Sequence, residues 1–236
     1  MEWLLILFST LCAGACIPLG GALARVERLR PRWLETELRH GVMAFGGGVL
    51  IAAVAFVLVP EGNAFVDDPL IGVACLLGGG VVFFTCERLL GARRRERPQL
   101  TAMLLDYVPE SLALGGAFAV GAESALMLAL FIGLQNIPEG FNAYRELRST
   151  GREGHAILRF MLWLLPIGPV LALIGWVWLG EHPMLLGGVM VFAAGGILYL
   201  VFQDVAPQAR MRRHWAPPLG AVAGFAVGML GMALGA

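Results

Sequence analysis

Eight long apolar runs divide this chain, at positions 3 to 24, 41 to 59, 69 to 90, 101 to 120, 124 to 144, 156 to 180, 183 to 203 and 216 to 235. About 20 helical residues cross a hydrocarbon core of about 30 Å, so each run is long enough to be a span. The runs lack the alternation of a barrel strand, and lipid offers no partner to open backbone, so the spans are expected to be helices. A composition of 58% hydrophobic and 14% charged residues, with mean hydropathy +0.76, excludes an ordinary soluble domain. The longest connection, around Arg25 to His40, is too short for a soluble core, which leaves one membrane domain over residues 1–236.

The charges support eight crossings. Net charge is zero, and nothing points to nucleic acid, but the placement is ordered: all 17 basic residues are arginines. Arg25, Arg28, Arg30, Arg32 and Arg39 lie between spans one and two, and Arg88, Arg93, Arg94, Arg95 and Arg97 lie around the link from three to four. Arg145, Arg148, Arg152 and Arg159 follow span five, and Arg210, Arg212 and Arg213 follow span seven. The alternate loops hold acids instead: Glu61, Asp67 and Asp68, then Glu123, then Glu181. The positive-inside rule puts the arginine loops in the cytoplasm and both termini outside, in a multi-pass protein of the plasma (cytoplasmic) membrane. The first run follows an acidic rather than basic start, so it reads as a span and not a signal peptide. Cys12, Cys16, Cys75 and Cys86 all fall in apolar runs, where they read as small buried hydrophobes rather than ligands or a disulfide. His40, His155, His182 and His214 fall in or beside loops, so imidazole is not offered at mid-membrane.

Against this apolar background, Asp106-Tyr107-Val108-Pro109-Glu110-Ser111 and Gln135-Asn136-Ile137-Pro138-Glu139-Gly140 repeat a Pro-Glu core in consecutive spans. In each, the outer polar residues are four apart and share a helix face, Asp106 with Glu110 and Gln135 with Glu139. Pro109 and Pro138 lack N–H groups and so free the carbonyls of Leu105 and Leu134. An intramembrane acid costs about 2.5 to 3.5 kcal/mol at a helix centre, which marks a functional site by default. No arginine lies within spans four or five to neutralise these acids. Burying three acids without a cation or proton is prohibitive. The all-oxygen set Asp106, Glu110, Gln135 and Glu139 suits a hard or borderline divalent cation. Matching motifs on two antiparallel spans are also what an inverted repeat produces. The last span carries Gly220, Gly224, Gly228, Gly231 and Gly235, a stripe that lets another helix approach, either within the chain or across a homodimer.

The segments D-Y-V-P-E-S-L-A-L-G and Q-N-I-P-E-G resemble the fourth and fifth transmembrane motifs of the ZIP family of divalent metal transporters. The layout of eight spans with outward termini resembles that family too, as does Ala193-Ala194-Gly195-Gly196-Ile197-Leu198-Tyr199 before Gln203-Asp204. The resemblance implies an all-α, eight-helix bundle with an inverted repeat, embedded in the bilayer. It would act as a secondary transporter moving divalent transition metal toward the cytoplasm, with zinc the first candidate cargo and manganese or iron(II) further ones.

By position, Asp106, Glu110, Gln135 and Glu139 would be the metal ligands, and Asn136 would stand where relatives often hold a second metal. Here Asp106 replaces the usual histidine, Tyr107 the usual asparagine, and Gly168 a glutamate, so a mononuclear site is expected. Glu61 and Asp204 are candidate entrance and exit residues. The rival reading is a degenerate relative that conducts protons or another cation, or that senses without transporting. No enzyme is expected, because no phosphate-cradling loop, paired catalytic aspartate or Ser/His pair is visible.

Overall fold

The computed structural model describes residues 2–26, 32–93, 98–209 and 216–235. Among these residues the chain is helical, without a strand, and its helices join end to end into eight rods in the order of the eight apolar runs. The first rod is α1 (Glu2–Val26). The second joins α2 (Arg32–Ala53), a π-helical stretch (Val54–Leu58) and α3 (Val59–Val66). Then come α4 (Pro69–Arg93), α5 (Pro98–Ala119) and α6 (Ala125–Ser149). The sixth rod is α7 (Gly154–Leu164) and α8 (Ile167–Leu179), broken at Leu165-Pro166. The seventh joins α9 (Pro183–Leu200), a second π-helical stretch (Val201–Val205) and α10 (Ala206–Ala209), and the eighth is α11 (Leu219–Gly235).

Five rods are long and apolar enough to cross a membrane: Trp3–Val26, Thr36–Val66, Pro69–Leu89, Gly154–Leu179 and Pro183–Ala209. Of the others, α11 has only 17 residues, and α5 and α6 are diluted by their polar motifs. The arginines Arg28, Arg30, Arg94, Arg95, Arg97, Arg210, Arg212 and Arg213, together with His214, lie outside the described residues. The four cysteines are free thiols, but the expectation of burial fails: Cys12 is exposed and the other three are half-buried, because α1 and α4 turn those faces outward.

The two π-helical stretches have a common cause. Pro60 and Pro207 each follow their stretch by one residue, and the carbonyl a proline cannot serve, four residues earlier, is that of Phe56 or Gln203 at the centre of each stretch. The helix absorbs the missing donor by widening, with Val59 N–H reaching Val54 O and Ala206 N–H reaching Val201 O, five residues back.

Glycines set the packing. Rods one and five meet where Gly20 lies on the Ile137 carbonyl and Gly140 on that of Ile17. Rods four and six meet through Gly115 against Ala172 and Gly175 against Leu112, and rods three and seven through Gly79 against Phe192 and Gly195 against Leu76. Rods two and eight meet through Gly48 against Ala221 and Gly224 against Phe45. In every pair a Cβ would strike the partner's backbone, so only glycine permits the approach. Gly46, Gly47 and Gly48 point about 100° apart around α2, and each admits a different neighbour: Pro138, Val205 and Ala221. The stripe on α11 therefore faces α2 of the same chain over Gly220, Gly224 and Gly228.

Candidate cation site

The antiparallel hairpin of α5 and α6, turned at Gly121 (φ 67°), brings the two Pro-Glu motifs side by side. Both helices run unbroken through their prolines. Because the two helices of the hairpin run in opposite directions, the pairing crosses: Asp106 meets Glu139, and Glu110 meets Gln135. The Gln135 Nε2 amide donates to Glu110 Oε2 at 2.6 Å, and the carboxyls of Asp106 and Glu139 hydrogen-bond each other. Asp106 Oδ1 also accepts the Tyr107 backbone N–H at 2.8 Å, which fixes its rotamer. Asp106, Glu110, Gln135 and Asn136 are each at most 2% exposed. All four are enclosed within the bundle.

The oxygens that remain define the chemistry. Glu110 Oε1, Gln135 Oε1, Glu139 Oε2 and Asn136 Oδ1 are enclosed and have no hydrogen-bond partner. All four are acceptors, and buried acceptors without donors are costly. A cation would satisfy several at once, and an oxygen-only set fits a divalent ion. Among the described residues, no three His, Cys, Asp or Glu side chains form a ready metal-holding group. The motifs thus stand as two facing pairs, which would have to draw together around an ion.

Asn136 is partly committed, since its Nδ2 donates to the Ala13 carbonyl of α1 at 2.8 Å. Tyr107 and Gly168 are in contact. A Cβ on Gly168 would fall on the Tyr107 hydroxyl, and one on Gly14 would lie 2.7 Å from it, so the phenol fills the gap between α1, α5 and α8. Glu61 lies beyond the first π-helical stretch with Oε2 buried and unpaired, and no hydrogen bond among the described residues ties it to the hairpin.

Asp204 belongs to a separate polar cluster. Its Oδ2 is unpaired, its carboxyl hydrogen-bonds Glu87, Glu146 is near enough to interact with its charge, and Tyr199 donates its hydroxyl to Glu87 Oε2 at 2.5 Å. Sequence reasoning missed Glu87 and Glu146 because each stands beside an arginine and resembles a solvated helix end. One signal was present: Gln135, Glu139, Asn142 and Glu146 follow at spacings of four, three and four and so share one face of α6.

No protein-family model matches the chain. It is 35% identical over 109 residues to the zinc transporter GufA of Myxococcus xanthus, an alignment that covers 46% of this chain. The aligned part spans 43% of the length of that relative.

Proposed function

We propose that the chain is a ZIP-like secondary carrier that moves a divalent transition metal, zinc first, toward the cytoplasm through one oxygen-lined site between α5 and α6. The observation that carries this reading is the set of four buried acceptor oxygens without donors, contributed by Glu110, Gln135, Asn136 and Glu139. The likeness to a protein named as a zinc transporter supports the choice of zinc. In this reading all eight rods cross the bilayer.

The packing supports an inverted repeat. Exchanging rod one with six, two with seven, three with eight and four with five carries each major contact into another: one–five into six–four, two–eight into seven–three, and two–five into seven–four. The same exchange maps the π-helical stretch before Pro60 onto the one before Pro207. Transport then proceeds by alternating exposure of the site, with one arm of the repeat moving against the other.

Purified protein in liposomes loaded with a zinc-sensitive dye tests the proposal. Saturable zinc entry that is lost in Glu110→Ala and Glu139→Ala is expected, and equal entry in empty liposomes would refute it. That Asp106, Glu110 and Glu139 form no ready metal-holding group among the described residues favours one rival, a degenerate relative that passes protons. Acidification by a pH gradient without any metal flux would establish that reading instead.

A further inference from the structure

The arginine-bearing end of the bundle holds a second polar feature, which the cation site does not use. Where α1, α6 and α7 converge, a cavity of about 580 Å³ is lined by Arg25, Tyr144, Arg148, Glu153, Gly154 and His155. Arg25 donates Nη2 to His155 Nε2 at 3.0 Å, and Arg148 donates Nη1 to the Arg152 carbonyl at 2.7 Å. These bonds hold two guanidiniums at the cavity while leaving most of their donors unused.

Two further observations point to an anion. Tyr144 is only 4% exposed, yet its hydroxyl makes no hydrogen bond among the described residues. A Cβ on Gly154 would lie 2.5 Å from that hydroxyl and 4.0 Å from Arg25 Nε, so the glycine keeps both donors reachable from one point. The 11-residue helix α7 also begins here, and Glu153 at its N-cap makes no side-chain cap. The first turn of α7, whose Gly154 and His155 line the cavity, therefore lacks a capping side chain for its backbone N–H groups.

The cavity is continuous in lining with an apolar groove. A space of about 560 Å³ between α1 and α7 is lined by Ala22, Val26 and Leu158, and shares Arg25 with the polar cavity. Donors for an anion joined through one guanidinium to an aliphatic trough fit an amphiphile with a phosphate head. We propose that this is a binding site for an anionic phospholipid, with its phosphate among Arg25, Tyr144 and Arg148 and an acyl chain along Ala22, Val26 and Leu158. The proposal rests on the helices being membrane-embedded and not on the cation site, so it survives if metal flux is absent. Glu153, the one acid in the lining, opposes the anion and sets its affinity.

Full-length protein in neutral detergent is titrated with phosphatidylglycerol, phosphatidylcholine or inorganic phosphate, read by thermal unfolding and by native mass spectrometry. One tightly retained phosphatidylglycerol per protomer is expected, with no retained phosphatidylcholine. Arg25→Gln should weaken it about tenfold, the size of one charge-assisted hydrogen bond. Gly154→Val should abolish retention without changing charge, and Glu153→Gln should tighten it, a gain that misfolding cannot mimic. Phosphatidylcholine binding as well as phosphatidylglycerol would overturn the proposal. Protection by inorganic phosphate equal to that by the lipid would also overturn it, marking a pocket for free phosphate. Unchanged affinity in both Arg25→Gln and Glu153→Gln would place the lipid elsewhere.

Discussion

Glu110→Gln isolates the charge of the site from its shape. Glu110 is fully buried, accepts the Gln135 amide through Oε2 and leaves Oε1 unpaired. A glutamine has the same length, and its carbonyl oxygen can keep the bond to Gln135, so the metal-free fold should change by less than about 1 kcal/mol. The cation, in contrast, exchanges an anionic oxygen for a neutral one. A charged contact contributes about 1.5 to 3 kcal/mol net, so zinc affinity should fall about 10- to 100-fold. Linkage amplifies the difference. With zinc at about one hundred times the wild-type Kd, binding stabilises the wild type by about 2.7 kcal/mol, whereas a variant weakened 100-fold gains only about 0.4 kcal/mol. Thermal unfolding of detergent-solubilised protein, with and without zinc, reads both quantities in one experiment. A variant that unfolds like the wild type without zinc and gains the same zinc protection would remove Glu110 from the cation site.

Asp106→His places a neutral nitrogen where an anionic oxygen stands and should raise the preference for zinc over manganese, measured by competition binding; an unchanged ratio means Asp106 does not touch the ion. With the Tyr107 phenol filling the space beside Gly168, metal analysis of saturated protein should give one ion per protomer, and two ions about 4 Å apart would contradict that arrangement. Gly195→Leu drives a side chain into the Leu76 backbone and should cost about 1 to 3 kcal/mol or prevent assembly, while Gly78→Leu on the partner helix α4, with nothing within 4 Å of its Cβ position, should be tolerated. Equal thermal midpoints for these two variants would show that the glycine contacts do not hold rods three and seven together.

The number and order of the rods were legible because burial in lipid demands long apolar runs, and the run at positions 124 to 144 became Ala125–Ser149 with only its polar end unread. The cross-pairing of Asp106 with Glu139 and of Glu110 with Gln135 went unread, although i, i+4 spacing on antiparallel helices leaves few alternatives. What stayed hidden depends on partners that sequence spacing does not name. Gly46, Gly47 and Gly48 are consecutive in the sequence, yet each serves a different helix. The break at Leu165-Pro166 and the two π-helical stretches all follow from prolines, but whether a helix kinks, widens or parts at a proline depends on the donors its neighbours supply. Cys12 shows the opposite limit: hydropathy cannot tell a side facing other helices from one facing outward when both environments are apolar.

That last point explains why the polar rods occupy the positions they do. A helix carrying two acids is costly wherever it faces lipid, so α5 and α6 need cover on several sides. The glycine seams supply it: α1 closes on α6 through Gly20 and Gly140, and α8 closes on α5 through Gly115 and Gly175. By helical position the seam residues Leu112 and Gly115 of α5, and Ile137 and Gly140 of α6, lie on other faces than Asp106, Glu110, Gln135 and Glu139, so close backbone approach covers the hairpin from behind its motifs. Tyr107 is the exception, because it spends its aromatic bulk sealing α1 against α8 one residue from Asp106. Inside this cover the acceptor oxygens of Glu110, Gln135 and Glu139 are left without a protein partner, the feature on which the proposed cation site rests.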